Sequence, residues 1–276
     1  SQFLKYLDGQ SKKVTELEIQ DIADYVSILD VSDIKYSTFN RYITHIHTFL
    51  QFLKMKNIEV LKFYPERFFK KGFPEHNERS VPEKTIAHLI KELPAFPEHL
   101  QLMYLILFCT GIRKSEVCTI KSGAFYSQGN ENWMRIYQSK MRREKVIPVP
   151  SLLVGLVNDY EKKYGIKNGE YLFKNKKGGA FNGQTFSNQM IRECKARGIA
   201  CGDYIFRAHD YRHNLATSMY GNGVSIQGVR DYLGHSSENM TKQYIDFMPE
   251  RIVSAEDKYF SRNQSFKLKG VEDDER

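Results

Sequence analysis

Basic and proton-transferring side chains are concentrated in three short stretches of the sequence. They are residues 110–116 (TGIRKSE), residues 209–213 (HDYRH) and residues 233–235 (LGH), and Tyr244 follows the last histidine after nine residues. Guanidinium and imidazole groups hydrogen-bond to phosphate oxygens, and an activated phenol can act as a nucleophile. This combination suits the cleavage of a phosphodiester bond without a metal ion.

Two arginines are candidates for binding the reacting phosphate. The transition state of phosphodiester cleavage carries extra negative charge, and a guanidinium is permanently charged and can contact two oxygens at once. Arg113 and Arg212 are the arginines of the first two stretches. Glu116 lies three residues after Arg113, so it either holds this guanidinium in place or forms an ordinary exposed pair with it.

Tyr244 needs activation, because a phenol with a pKa near 10 is almost fully protonated at neutral pH. Either a base or a strong positive field must help it to attack. His209 is the candidate base, since an unperturbed histidine titrates near pH 6.5. Tyr244 is one of 17 tyrosines, so only its position after the LGH stretch distinguishes it.

In their order and separations, the three stretches resemble the T-G-x-R-x-S-E, H-x-x-R and L-G-H…Y boxes of the tyrosine recombinases, a phage-integrase-like family. The resemblance extends over nearly the whole chain. It implies a site-specific recombinase or integrase, carried by a transposon or a phage. Such an enzyme cleaves and rejoins DNA through a 3′-phosphotyrosine intermediate and a Holliday junction.

The resemblance also implies roles for further residues. Lys140, at the tip of a basic hairpin, stands where the family's lysine protonates the departing 5′-oxygen, and Lys145 and Arg143 are neighbouring alternatives. His235 would donate a hydrogen bond to a non-bridging phosphate oxygen. The implied catalytic set is Arg113, Lys140, His209, Arg212, His235 and Tyr244, with Glu116 in support.

The sequence departs from the family pattern at two places. Residues 121–123 (KSG) stand where an acidic residue usually follows the first box, and Tyr211 replaces the leucine that is common in the second. Neither position has a catalytic role. The departures therefore bear on the subfamily and leave the expected chemistry unchanged.

The resemblance implies that the partner is double-stranded DNA with specific recombination sites, bound by a homotetramer on two sites. An accessory DNA-bending or directionality factor is a further implied partner. Because the phosphotyrosine conserves the bond energy, we expect no cofactor and no metal, and the sequence contains no G-x-x-x-x-G-K-[ST] phosphate loop. The mixed polar and apolar segment 251–260 either docks on a neighbouring protomer or stays on its own domain.

Three alternatives stay open. The HDYRH stretch also fits H-D-x-x-H, a variant of the zinc-peptidase motif, with His235 as a third ligand, although Arg212 would repel the cation. The second alternative is a regulatory relative that binds DNA without cutting it. The third is a type IB topoisomerase, which shares the phosphotyrosine step. The short spacing from LGH to Tyr244 and the helical N-terminal unit favour a recombinase.

The composition favours a soluble protein with a polyanionic partner. The net charge is +8, and 41% of the residues are hydrophobic. The four cysteines form no C-x-x-C pair, so zinc-ribbon and redox spacings are absent and a reducing compartment is indicated. No apolar run is long enough to cross a bilayer. We expect a cytoplasmic, nucleoid-associated protein with no membrane partner.

A strongly amphipathic helix is predicted over residues 38–53, with Ser37 as its N-cap. The face opposite its apolar stripe contains no acidic residue. This face is either simply solvated or lies against DNA phosphates. The candidate DNA-binding residues are Arg41, Thr44, His45, Thr48 and Gln51 on this face, and Arg142 and Arg143 in the basic hairpin.

Proline, glycine and a charged run between residues 63 and 81 predict a linker. Residues 1–77 are expected to form a helical, SAM-like core-binding domain, and residues 78–276 the catalytic domain with a C-terminal tail. Helices are predicted at 16–29, 83–93, 97–111, 150–163, 185–196, 209–221, 225–233 and 240–244, and strands at 133–138 and 145–149. The expected fold class is mainly α with a small antiparallel sheet, in which two domains form a C-shaped clamp on DNA.

Overall fold

The computed structural model describes residues 2–72, 81–139, 141–199 and 204–235 together with Thr241. Lys140 and Tyr244 lie outside these residues, as do Met240, Lys242 and Gln243 of the predicted 240–244 helix and the tail from residue 250. The chain divides into two compact units, Ser1–His76 and Asn77–Arg276. Each unit has its own hydrophobic core.

The first unit contains three α-helices in its described residues. They are α1 (Gln2–Gly9), α2 (Ile19–Val31) and α3 (Tyr36–Met55), with single 3-10 turns at Val14–Glu16 and Pro65–Arg67. The core side of α3 consists of Phe39, Ile43, Ile46 and Leu50, which are spaced as one face of a helix requires. The prediction of this amphipathic helix is confirmed.

The predicted cap of α3 was wrong. Lys35, with non-helical backbone angles and without a side-chain capping bond, is the N-cap residue. The amides of Thr38 and Phe39 bond to the Lys35 carbonyl, so the helix is already formed where Ser37 stands. A serine is favoured at a cap, but the main-chain hydrogen bonds here begin two residues earlier.

The second unit is built around a buried helix. Its first three helices are α4 (Glu83–Glu92), α5 (Glu98–Thr110) and α6 (Lys114–Cys118). α5 is apolar on all sides and is preceded by Pro97, and it ends at Gly111 in the left-handed conformation. The helices that follow in the chain are α7 (Ser151–Tyr164), α8 (Gly183–Ala196), α9 (Ala208–Gly221) and α10 (Ile226–Leu233). A helix that buries most of its circumference must lie at the centre of a core, and α5 packs against α6, α7, α8 and α9.

One three-stranded antiparallel sheet, in the order β1-β2-β3, completes the described part of this unit. The strands are β1 (Phe125–Gln128), β2 (Glu131–Gln138) and β3 (Arg143–Pro148). The pairing runs from Trp133 opposite Pro148 to Gln138 opposite Arg143. The hairpin was predicted, whereas β1 was not, because four residues with only one fully buried side chain give no clear alternation.

The fold is mainly α with a small antiparallel sheet, as predicted. Across the described ranges, no helix is both long enough and apolar enough to span a membrane.

Candidate active site

Arg113 lies directly between α5 and α6, where Gly111 ends the first helix and Arg113 itself caps the second. Its Nη1 donates to Glu116 Oε1 at 2.8 Å, and its backbone amide donates to Glu116 Oε2 at 2.8 Å. The Glu116 side chain is only 3% exposed. Glu116 therefore orients Arg113 from inside the protein, and the alternative of an ordinary exposed pair is excluded.

Arg212 connects all three sequence stretches. It is 1% exposed on α9, in the second stretch. Its Nη1 donates to the Gly111 carbonyl of the first stretch at 2.8 Å, and its Nη2 donates to the Leu233 carbonyl of the third at 2.6 Å. From its place in the sequence, Arg212 was expected to bind the phosphate alone. The structure adds that the same guanidinium fixes the backbone on either side of it.

His235 follows the end of α10, which stops at Gly234 in the left-handed conformation. Its Nδ1 lies 2.9 Å from Thr241 Oγ1. Burial, together with the positive charges of Arg212 and Arg113, lowers the pKa of His235 to about 3. The ring is therefore neutral at pH 7 and carries one proton. In the tautomer where the Thr241 hydroxyl donates to Nδ1, this proton is on Nε2.

Gly234 is required by its surroundings as well as by its backbone angle. A Cβ at this position would lie 2.5 Å from Nε2 of Gln138, the last residue of β2, which is 1% exposed. The hairpin therefore packs directly against the turn that carries His235.

Lys145 lies close to the turn before His235 and to the site's arginines. From β3 its Nζ donates a hydrogen bond to the Tyr232 carbonyl at the end of α10. Burial, reinforced by the nearby charges of Arg212, Arg143 and Arg113, lowers the pKa of Lys145 to about 7. Lys140, the lysine implied by the resemblance, lies outside the described residues, so its position relative to Lys145 stays a prediction.

The lowered pKa of Lys145 predicts a pH dependence of stability. In the unfolded chain the lysine keeps its usual pKa of 10.5, so between pH 7 and 10.5 the unfolded state binds more protons than the folded state. Below pH 7 the folded protein is destabilised by the full free energy of burying the charged ammonium. This destabilisation disappears as the pH rises through the window. Relative to that of Lys145→Met, the free energy of unfolding of the wild type should rise by up to about 1.4 kcal/mol per pH unit in this window. Urea unfolding of both proteins at pH 7.0, 8.0 and 9.0 measures this, and parallel curves would contradict it.

His209 and Tyr211 take opposite positions on α9. His209 is exposed in the first turn, with its ring centroid 5.5 Å from that of buried His213. Tyr211 points into the core, where it packs edge-on against Tyr104 at 5.3 Å. Burial raises the pKa of Tyr211 far above the usual range. This tyrosine replaces the family's leucine as a core residue, and it is unsuited to act as a nucleophile.

A cavity of about 440 Å³ brings the first two stretches together. It is lined by Arg113, His209 and Arg212, as the sequence analysis expected for one site. It is also lined by Lys114, Ser115, Ser187 and Arg207, which the sequence analysis did not select. Lys114, Ser115 and Arg207 lie within two residues of predicted residues, so their sequence position was an available signal. Ser187 comes from α8 and could be found only from the fold.

The zinc alternative has no support in the described ranges. They contain no group of three or more histidine, cysteine, aspartate or glutamate side chains arranged to hold a metal ion. His209, His213 and His235 therefore do not form the three-ligand site which that alternative requires.

The predicted DNA-binding residues are exposed in both units. In the first unit these are Arg41, Thr44, His45, Thr48 and Gln51, and in the second Arg142 and Arg143. The hydroxyls of Thr44 and Thr48 donate to the carbonyls of Asn40 and Thr44, each at 2.9 Å. A hydroxyl has a single proton, so in this conformation neither threonine is a donor to a phosphate. On this face, Arg41, His45 and Gln51 are therefore the better candidates for donating hydrogen bonds to a phosphate.

Known proteins share both the sequence pattern and the fold. Residues 79–251 match the phage integrase family. Transposase B from transposon PsiTn554 of Staphylococcus aureus is 30% identical over 264 residues, which cover 91% of this chain and 42% of the transposase. Tyrosine recombinase XerA of Pyrococcus furiosus is 26% identical over 215 residues, which cover 77% of this chain and 73% of the recombinase.

Among solved structures, the XerH site-specific recombinase bound to palindromic difH substrate aligns with a TM-score of 0.68 and 17% identity. The alignment covers 90% of this chain and 74% of that chain, and it shows a common fold. The chain spans about two fifths of the length of the transposase relatives. The family match, in contrast, extends over more than half of the 276 residues. This chain belongs to the phage integrase family.

Proposed function

We propose that this protein is a site-specific DNA recombinase that cleaves and rejoins DNA through a 3′-phosphotyrosine intermediate and a Holliday junction. One observation carries the proposal. Arg113, His209 and Arg212, from separate parts of the sequence, line a single cavity. Two fixed guanidinium groups beside an exposed imidazole suit the stabilisation of a phosphorane and the transfer of its protons.

In the proposed reaction, Tyr244 Oη attacks the phosphorus and the bond from phosphorus to the 5′-oxygen breaks. His209 accepts the phenol proton, and a lysine supplies the proton that the departing 5′-oxygen takes up. Arg113, Arg212 and neutral His235 bind the phosphate oxygens. A 5′-hydroxyl of the partner strand then attacks the phosphotyrosine and returns its proton to the lysine. The released Tyr244 takes back the proton held by His209, so the bond is exchanged without ATP.

Lys140 is our choice for the proton donor, on the basis of its place in the family pattern. Lys145 is the alternative, because its pKa of about 7 leaves it partly protonated at neutral pH. Its hydrogen bond to Tyr232 argues for a role in holding the turn before His235.

DNA is the proposed partner, in agreement with the net charge of +8 and the names of the relatives, which include transposases and recombinases. We further propose that residues 1–77 form a core-binding domain and that residues 78–276 form the catalytic domain. Four protomers would act on two DNA sites, with an accessory DNA-bending or directionality factor. A cytoplasmic, nucleoid-associated location would follow from this substrate.

Binding dominated by phosphate contacts predicts a steep dependence on salt. Each phosphate that is neutralised releases counterions, so the logarithm of the affinity falls linearly with the logarithm of the salt concentration. A protein with six to ten such contacts loses roughly 10³–10⁵ in affinity between 50 and 200 mM salt. Fluorescence anisotropy with a labelled duplex measures the slope. A nearly flat titration would point to a protein partner instead.

The direct test is to trap the covalent intermediate. The protein is used to select bound duplexes from random DNA, and the selected site is rebuilt with nicks that let a short fragment diffuse away after cleavage. In the presence of EDTA we expect a protein–DNA band that survives denaturant, with DNA attached through its 3′ end and a free 5′-hydroxyl on the released fragment. Binding without such a band would favour the regulatory alternative.

A further inference from the structure

The cavity beside Arg113 and Arg212 has a second set of cations that the proposed reaction does not use. Lys114 directly follows Arg113, and Arg207 precedes His209 by two residues, at the N-cap of α9. Among the residues that the structure describes, those that line the cavity contribute four lysine or arginine side chains and no carboxylate. A single phosphodiester carries one negative charge, so it would neutralise only part of the positive charge of the cavity.

Lys114 is held in place by α8. Its side-chain carbons lie 3.6–3.9 Å from the position of a Cβ on Gly183, and its Nζ lies 3.4 Å from Ser187 Oγ, one helical turn further on. The aliphatic part of the lysine therefore runs along this helix, and its charge is directed to the cavity.

Neither cation is neutralised within the described ranges. The ion pairs there include Arg113 with Glu116 but none that involves Lys114 or Arg207. Both side chains are exposed, so they retain their charge for a ligand. Ser187 and Ser115 add hydroxyl groups to the same lining, and a phosphate oxygen can accept hydrogen bonds from both kinds of group.

We propose that Lys114 and Arg207, with Ser187, form a second phosphate-binding subsite for the DNA phosphate next to the scissile one on the cleaved strand. This inference rests on the proposed function. Successive phosphates of a strand advance about 3.4 Å along the helix axis, so a cavity that receives one phosphate borders the next. Binding the scissile phosphate and the adjacent phosphate together fixes the register of the strand. The scissile phosphorus is then held in one position relative to the arginines.

The test combines protein variants with neutral phosphate analogues. Lys114→Met and Arg207→Met are compared with wild type on the selected duplex and on four modified duplexes. Each modified duplex carries one methylphosphonate, at the first or second phosphate on one side or the other of the mapped scissile phosphate. Each variant should lose roughly threefold to fivefold in affinity on the unmodified duplex, and its salt slope should fall by about one. This loss should vanish on the duplex that is neutral at one adjacent position.

Lys176→Met is the matched control, since it removes one exposed charge that does not line the cavity. Lys114→Arg should keep both the affinity and its dependence on the adjacent phosphate. Thermal unfolding of each variant shows that it is folded. The subsite is ruled out if neither Met variant weakens binding, or if the loss is the same on all four modified duplexes.

The two proposals fail in different ways. If wild type forms no covalent adduct on the nicked duplex, the recombinase function itself fails. If the adduct forms but the loss of affinity does not depend on any neighbouring phosphate, only the second subsite is wrong.

Discussion

Replacing Arg212 with lysine should slow DNA cleavage by roughly 10²–10³ or more, the effect expected when a preorganised charge is lost from a transition state. Arg212 Nη1 and Nη2 hold the Gly111 and Leu233 carbonyls while the guanidinium lies at the cavity. A lysine keeps the charge but has one donor group, which cannot reach both carbonyls and a phosphate. Single-turnover cleavage of the nicked duplex measures the rate, and a full-rate Arg212→Lys enzyme would refute the assignment.

Part of this effect should appear as lost stability. Without the guanidinium, two buried carbonyls lose their partner, at a cost of about 1–3 kcal/mol each. Urea unfolding gives the free energy of unfolding for the variant, and cleavage is compared where both proteins are fully folded. Arg192→Lys, at an exposed position on α8, is the matched control and should leave both quantities unchanged. If the unfolded fraction of the variant accounted for the whole loss of cleavage rate, the role of Arg212 would be structural only.

Replacing Tyr244 with phenylalanine should abolish the covalent adduct while DNA binding persists. The substitution removes only the hydroxyl oxygen that would attack phosphorus, and the aromatic ring is retained. Gel shift and denaturing electrophoresis on the same nicked duplex separate the two properties. Tyr137→Phe, at an exposed tyrosine on β2, should form the adduct at the wild-type rate. If the Tyr244→Phe protein still gives a denaturant-resistant band, the nucleophile is another residue.

Local patterns predicted the elements that depend on local chemistry. The apolar run before Gly111 predicted α5 and its end, and the period of α3 predicted its buried face. β1 was missed because a short strand that pairs with β2 carries little pattern of its own. Ser37 was chosen as a cap from residue preference, whereas the main-chain hydrogen bonds to Lys35 decided where the helix begins.

At the site, too, the sequence motifs predicted the candidate residues but not the contacts that depend on distant parts of the chain. The box residues were predicted from their types and order, and the structure places three of them, Arg113, His209 and Arg212, at one cavity. The second role of Arg212 could not be found this way, since its partners are carbonyls more than 20 and 100 residues away. The burial of Glu116 and the course of Lys114 along α8 likewise depend on neighbours that only the tertiary fold supplies.

The most direct measurement for the central claim is to find the residue that carries the DNA. The adduct from the wild-type protein on the nicked duplex is digested with nuclease and protease, and the peptide that retains a nucleotide is sequenced by mass spectrometry. We predict a single modified peptide in which Tyr244 bears a 3′-linked nucleotide. A nucleotide on any other residue, or one linked through its 5′ phosphate, would contradict the mechanism.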